Sequence, residues 1–262
     1  MTVIREPAVA GQFYPGNASE LGATIRLFFE AVQGEEGPAP KALIVPHAGF
    51  TYSGPVAATA YARLRPYSGL YTRVILLGPA HRIAVTGLAL SGADVFRTPL
   101  GDVPLDKDAL DALTTLKVRV IDATHQFEHS LEVHLPFLQS VIESFSLVPL
   151  VVGDATRENV AEVIDALWGG PETLIVVSSD LSHYLSYDEA RVTDQATCQA
   201  IENLEAHSID HDDACGATPI GGLLISAKRR GMQVTMLDLR NSGDTAGDRS
   251  RVVGYGAWQF LE

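Results

Sequence analysis

Three histidines and two aspartates stand where strand-like apolar runs stop, which is the raw material of a metal centre with a proton-transfer partner. Ala42-Leu43-Ile44-Val45 runs into Pro46-His47, and Val74-Ile75-Leu76-Leu77 into Gly78-Pro79-Ala80-His81. Leu174-Ile175-Val176-Val177 leads to Ser178-Ser179-Asp180 and His183, and Val234-Thr235-Met236-Leu237 leads, four residues later, to Ser242-Gly243-Asp244. Imidazole is the commonest metal ligand, and the small residues beside His47 and His81 leave backbone room for an ion. Two imidazoles and one carboxylate make a facial triad that leaves positions on iron(II) open. Asp244 is the expected carboxylate, with Asp248 as the alternative in the same Gly-rich turn. Asp180 and His183 are three residues apart and share a face if the segment begins a helical turn. The acid would then orient the imidazole for acid–base transfer.

Other histidines read differently. In Glu128-His129-Ser130-Leu131-Glu132-Val133-His134 the two imidazoles are five apart, so they do not share a helix face as in His-Glu-x-x-His. His129, just before a helix start, is expected to be a polar group of the site, and His134 a packed helix residue. His207 and His211 flank an acidic loop and read as solvated. Ser178 and Ser179 lack the Gly-x-Ser-x-Gly pattern of a hydrolase nucleophile.

These residues need a scaffold that gathers strand ends. Asn17-Ala18-Ser19-Glu20 reads as a capping box, and Leu21, Ile25, Phe28 and Phe29 repeat at helical spacing, predicting a helix over about 18–32. Ser53-Gly54-Pro55 reads as an N-cap with Pro in the first turn, followed by a helix over Val56–Leu64. Strands are expected at 73–77, 86–91, 147–152, 233–239 and 252–260, and helices near 106–115, 131–141, 156–167, 188–204 and 217–230. Strands alternating with helices of this length specify an α/β fold: one domain, residues 1–262, with a central mixed, largely parallel sheet flanked by helices. In such a sheet the carboxyl ends of the strands form one crest, where ligands bind. Residues 33–40 read as an exposed loop.

Composition narrows the function classes. A formal charge of -13 argues against a nucleic-acid surface, and Lys228-Arg229-Arg230 suits a helix C-terminus. The two cysteines, Cys198 and Cys215, are too few for a disulfide framework and read as buried thiols acting as small hydrophobes. Without a signal-peptide pattern or an apolar run of membrane-spanning length, a cytoplasmic protein with no membrane contact is expected.

The motifs taken together resemble the Memo-like family, whose bacterial and archaeal members are called AmmeMemoRadiSam system protein B. The matching pieces are Ala10-Gly11-Gln12-Phe13-Tyr14-Pro15, Pro46-His47-Ala48-Gly49 with Tyr52-Ser53-Gly54, Gly78-Pro79-Ala80-His81, Glu128-His129-Ser130 with Glu132 and His134-Leu135-Pro136, Ser178-Ser179-Asp180 with Ser182-His183, and Gly254-Tyr255. The family resembles class III extradiol dioxygenases, which use non-haem iron to cleave catechols. The resemblance implies an iron(II) site at His47 and His81, with copper or zinc as alternatives. It also places His183 where the dioxygenases keep an acid–base His, and His129 where a second His lines the pocket. The dioxygenases complete their triad with a Glu and the human family member with a Cys; here the register falls at Asp244 or Thr245. The implied function is an iron-dependent oxidoreductase acting on a small molecule. The alternatives are a non-catalytic metal-handling or peptide-binding module using the same cleft, and metal-dependent hydrolysis. The family's genomic name implies association with an AMMECR1-like protein and a radical SAM enzyme.

Overall fold

The computed structural model describes residues 2–33, 37–116 and 118–262. Its strands are β1 (Ile4–Arg5), β2 (Ala42–Val45), β3 (Arg73–Pro79), β4 (Leu88–Leu90), β5 (Val95–Thr98), β6 (Gly101–Pro104), β7 (Arg119–Val120), β8 (Ser146–Val152), β9 (Thr173–Ser178), β10 (His183–Leu185), β11 (Gln233–Asn241) and β12 (Val252–Leu261). Its helices are α1 (Ala18–Glu30), α2 (Phe50–Ala62), α3 (Lys107–Leu113), α4 (Asp122–Gln126), α5 (Leu135–Val141), α6 (Arg157–Ala166), α7 (Tyr187–Glu202), α8 (Ala217–Arg230) and α9 (Ser242–Thr245). Gly34, Glu35 and Glu36 of the expected 33–40 loop lie outside the described residues.

The main sheet runs β10-β12-β2-β9-β3-β8-β4-β7, with β11 on β12. Its centre, β2-β9-β3-β8, is parallel, whereas β12 runs antiparallel to its neighbours and β4 antiparallel to β8 but parallel to β7. The parallel strands are buried on both faces, so their sequences are unbroken apolar runs. Successive residues part company as the strand period requires. Leu43, Val45, Val74 and Leu76 join the core under α1, α2 and α5, whereas Ile44, Ile75 and Leu77 join the core under α6, α7 and α8. Each such side chain contributes about 1.5–3 kcal/mol by leaving water.

Several boundaries differ from expectation. Helix α2 begins at Phe50, behind Gly49 as its N-cap, and Pro55 lies inside it rather than Ser53 capping it. Pro55 falls in the second turn, and the sequence offered no apolar periodicity across Phe50–Gly54 to reveal the extra turn. Residues 131–141 split into a 3-10 turn, Glu132–His134, followed by α5. The β5–β6 hairpin, which pairs with β1 in a separate three-stranded sheet, was not foreseen. Residues 183–185 form an edge strand on β12, not a helical turn. Capping at Asn17 and the basic last turn of α8 agree with the sequence reading.

Candidate metal centre

His47 follows β2 by two residues and His81 follows β3 by two, and β9 lies between those strands. At a strand spacing of about 4.8 Å, the two imidazoles meet by leaning over the end of β9, which closes in the small residues Ser178 and Ser179. Their ring centroids are 5.1 Å apart. The third imidazole is His129, from the segment between α4 and the Glu132 turn, at 5.5 Å from His47 and 4.7 Å from His81. One nitrogen from each of the three lies within 4.8 Å of the others, and among the described residues this is the group able to hold an ion.

Hydrogen bonds decide which nitrogens face inward. The Ser178 hydroxyl donates to the Ser130 carbonyl at 2.6 Å. Its oxygen is therefore left to accept from His47 Nδ1, also at 2.6 Å, so His47 Nδ1 carries the proton and Nε2 keeps its lone pair. Glu128 does the same for His81. Burial pushes its carboxyl up, but hydrogen bonds from the His81 side chain, the His81 amide and the Ser130 amide outweigh this and hold it down at about 2. The carboxylate accepts from His81 Nδ1 at 3.0 Å, which leaves His81 Nε2 free. Metal-ligating histidines commonly have their outer nitrogen tied to such partners.

Glu128 also accepts from four amides, those of His81, Arg82, His129 and Ser130. The segment therefore seats two imidazoles and, through Ser130, a third. Gly78 allows the close approach, since a Cβ there would meet Ser130 Oγ and Leu131 at 2.9 Å. His129 packs on the ring of Phe13 at 4.8 Å. Its Nδ1 is buried without a hydrogen-bond partner, lying 3.3 Å from Glu128 Oε1 but out of line with it.

The group is electrostatically prepared for a cation. Burial, and then the neighbouring imidazoles, push His47 well below its ordinary value. The same causes hold His129 at about 4. His47 and His129 are thereby kept neutral, which is the state a metal requires of an imidazole.

The other expected residues fall into place unevenly. Asp180 is buried, and its Oδ1 accepts from the amides of His47 and Ala48 at 2.7 and 3.3 Å. It thus positions the His47 turn rather than the His183 imidazole. Burial raises its carboxyl to about 7, against the pull of those amides. His183 opens β10, with its imidazole lowered by burial and then by the field of His81. Asp244 is not brought to the histidines. It sits on an exposed turn, where its carboxylate accepts from Tyr187 at 2.6 Å and caps the Asn241 amide at 3.1 Å. There it lines a separate cavity of about 560 Å³ with Arg191 and Arg240. Its Asx-type cap takes the carboxylate that a metal would need. Asp248 is likewise exposed and bonded to Ser250.

Three neighbours of the histidines escaped the sequence reading. Glu128 and Ser178 were visible only as polar neighbours of histidines. Cys215, expected as a packed thiol, has its Sγ 3.5 Å from His47 Nε2. A strand-then-His pattern gives no sign of a residue contributed from just before α8.

A match to the Memo-like protein family spans residues 5–259. The chain belongs to that family. It is 36% identical to a MEMO1 family protein of Methanosarcina barkeri, over 97% of this chain and 98% of the relative. It is 35% identical to one of Aquifex aeolicus, over 98% and 99%. The crystal structure of an uncharacterized protein from Escherichia coli K12 shares the fold at a TM-score of 0.57 and 11% identity, covering 83% of this chain and 98% of that one. Among the described residues no helix is long and apolar enough to cross a membrane.

Proposed function

We propose that this Memo-like protein is an iron(II)-dependent oxidoreductase acting on a phenolic or enolic small molecule, with the ion held by His47, His81 and His129. The observation that carries the reading is the converging trio of imidazoles, two of which have their outer nitrogens committed to Ser178 and Glu128. The partnerless buried Nδ1 of His129 fits a donor set short of a partner. Bound iron(II) would supply open positions for substrate and dioxygen.

The remaining groups handle protons. His183, whose imidazole is lowered by burial and by the field of His81, would accept a proton from a substrate hydroxyl. Asp180, poised at about 7, can hold a proton within the same site while fixing the His47 turn. Tyr52, one turn beyond His47 in α2, and Tyr184, next to His183, are exposed. They would supply aromatic surface suited to a planar ring.

Three imidazoles are also a zinc donor set, and zinc would activate water for hydrolysis. Anaerobic purification with elemental analysis, followed by oxygen uptake on a panel of catechols, separates the two. Iron near one equivalent with uptake dependent on His183 is the expected result. Stoichiometric zinc with no uptake by the iron-reconstituted protein overturns the oxygenase reading.

A further inference from the structure

We propose that Asp194 orients the His183 imidazole through a single peptide group, which makes it a positioning residue for proton transfer. The inference deepens the reading of His183 given above and rests on it. Asp180, the acid expected beside His183, has its carboxylate engaged by the His47 and Ala48 amides instead. The acid that reaches the His183 segment comes from another element, the middle of α7.

Asp194 is 3% exposed, and its Oδ1 accepts from the Ser182 amide at 3.0 Å. That N–H is one end of the peptide group joining Leu181 to Ser182. The carbonyl at the other end is that of Leu181, whose backbone is the hydrogen-bonding neighbour of the His183 ring and holds a proton on it against the stronger effect of burial. A carboxylate on the N–H end polarises the peptide, so its carbonyl becomes a stronger and better-aimed acceptor. The ring nitrogen facing Leu181 then keeps its proton, and the other keeps a lone pair for a substrate hydroxyl. Among the described residues Asp194 takes its hydrogen bonds from Ser182 alone. A carboxylate buried without a cation is costly, and packing alone would be better served by an apolar side chain.

The surrounding backbone is built around this contact. Gly254 leaves room for the carboxyl, since a Cβ there would collide with Asp194 Oδ2. Gly254 also holds the peptide from the β12 side: its carbonyl accepts from Leu181 at 2.8 Å and its amide donates to the Ser182 carbonyl at 2.9 Å. Immediately after His183 the chain enters a conformation that large residues avoid, with Tyr184 at φ 61°. Such a conformation persists only where its surroundings over-determine it. Asp194 and Gly254 fix the chain on one side of it, and the pairing of Leu185 with Val252 fixes the other.

The test is nitrogen-15 NMR of the full metal-free chain with labelled histidines, His183 being assigned by its absence from His183→Gln. Spectra are taken at about pH 8, where Asp194, raised to about 6 by burial, is charged. Ring nitrogen shifts separate a single tautomer from a mixture, and the buried His125 and His134 report the fold of each variant. The parent should show one tautomer at His183, and Asp194→Ala should spread the ring over both. Asp194→Asn keeps an oxygen for the Ser182 amide but not the charge. It should retain the single tautomer, with the protonated nitrogen shifted toward that of a weaker hydrogen bond. A tautomer mixture in the parent, or one tautomer in a folded Asp194→Ala, overturns the proposal. So does a His183 shift unchanged in Asp194→Asn, whatever becomes of the alanine variant. No metal or substrate enters the measurement, so the oxidoreductase reading fails separately, through oxygen uptake undiminished in His183→Gln.

Discussion

Glu128→Gln tests whether one carboxylate assembles the centre. The side chain is 1% exposed and accepts five N–H bonds, four from amides and one from His81 Nδ1. Glutamine keeps one oxygen and turns an NH2 toward donors, stranding two or three of them. The size follows from the carboxyl's displacement, from 4.5 to about 2. At 1.36 kcal/mol per pKa unit, the site favours the charged carboxylate over its neutral form by roughly 3 kcal/mol. Metal-free Glu128→Gln should therefore lose about 3 kcal/mol at pH 7 in urea unfolding with an unchanged m-value. For the parent, this contribution is present above pH 4.5 and disappears as the pH falls through about 2. With His81 no longer held in one tautomer, metal affinity by calorimetry should fall about 10- to 100-fold. A variant that folds normally and binds metal within about threefold of the parent would refute the assembling role, and with it the tautomer argument for His81.

Three further outcomes follow. His129→Ala should remove most bound metal, whereas Asp244→Ala should retain it and cost about 1 kcal/mol as a lost helix cap; elemental analysis after gel filtration decides, and the reverse order would restore Asp244 to the centre. His183→Gln should keep the ion while abolishing oxygen uptake, and equal metal loss in His183→Gln and His81→Ala would make His183 a ligand. His134 is buried against Tyr61 at 2.8 Å and held down at about 3, by burial first. It is neutral in both states above pH 6.5, and it costs stability as the pH falls from 6.5 toward 3, where only the unfolded chain takes the proton. In His134→Met, metal-free stability between pH 7 and 4.5 should drop by about 2.7 kcal/mol less than in the parent; an identical drop would contradict the buried neutral state.

The parallel centre of the sheet was legible because doubly buried strands leave unbroken apolar runs, as at Ala42–Val45 and Leu174–Val177. The crest rule then placed His47 and His81 together without any contact being known. What stayed hidden depends on contacts distant in sequence. Asp244 has the ordinary composition of a metal-binding turn, and only its cap on Asn241 and its bond from Tyr187 show where its charge is used. Asp180 and His183 have helical spacing, but an edge strand with Tyr184 at φ 61° separates their roles. Glu128 acts through a loop whose closure no local periodicity records.

Because His47, His81 and His129 are about 34 and 48 residues apart along the chain, an ion shared by them is also a cross-link. By the chain-entropy reckoning used for disulfides, closing loops of that length is worth about 4 kcal/mol apiece. The two strands it ties, β2 and β3, are not neighbours, since β9 runs between them. The sheet's centre then cannot part along either seam while the cross-link stands. Withdrawing the ion should shorten the native state's lifetime by a large factor, and a chelator would set the pace at which this fold is lost.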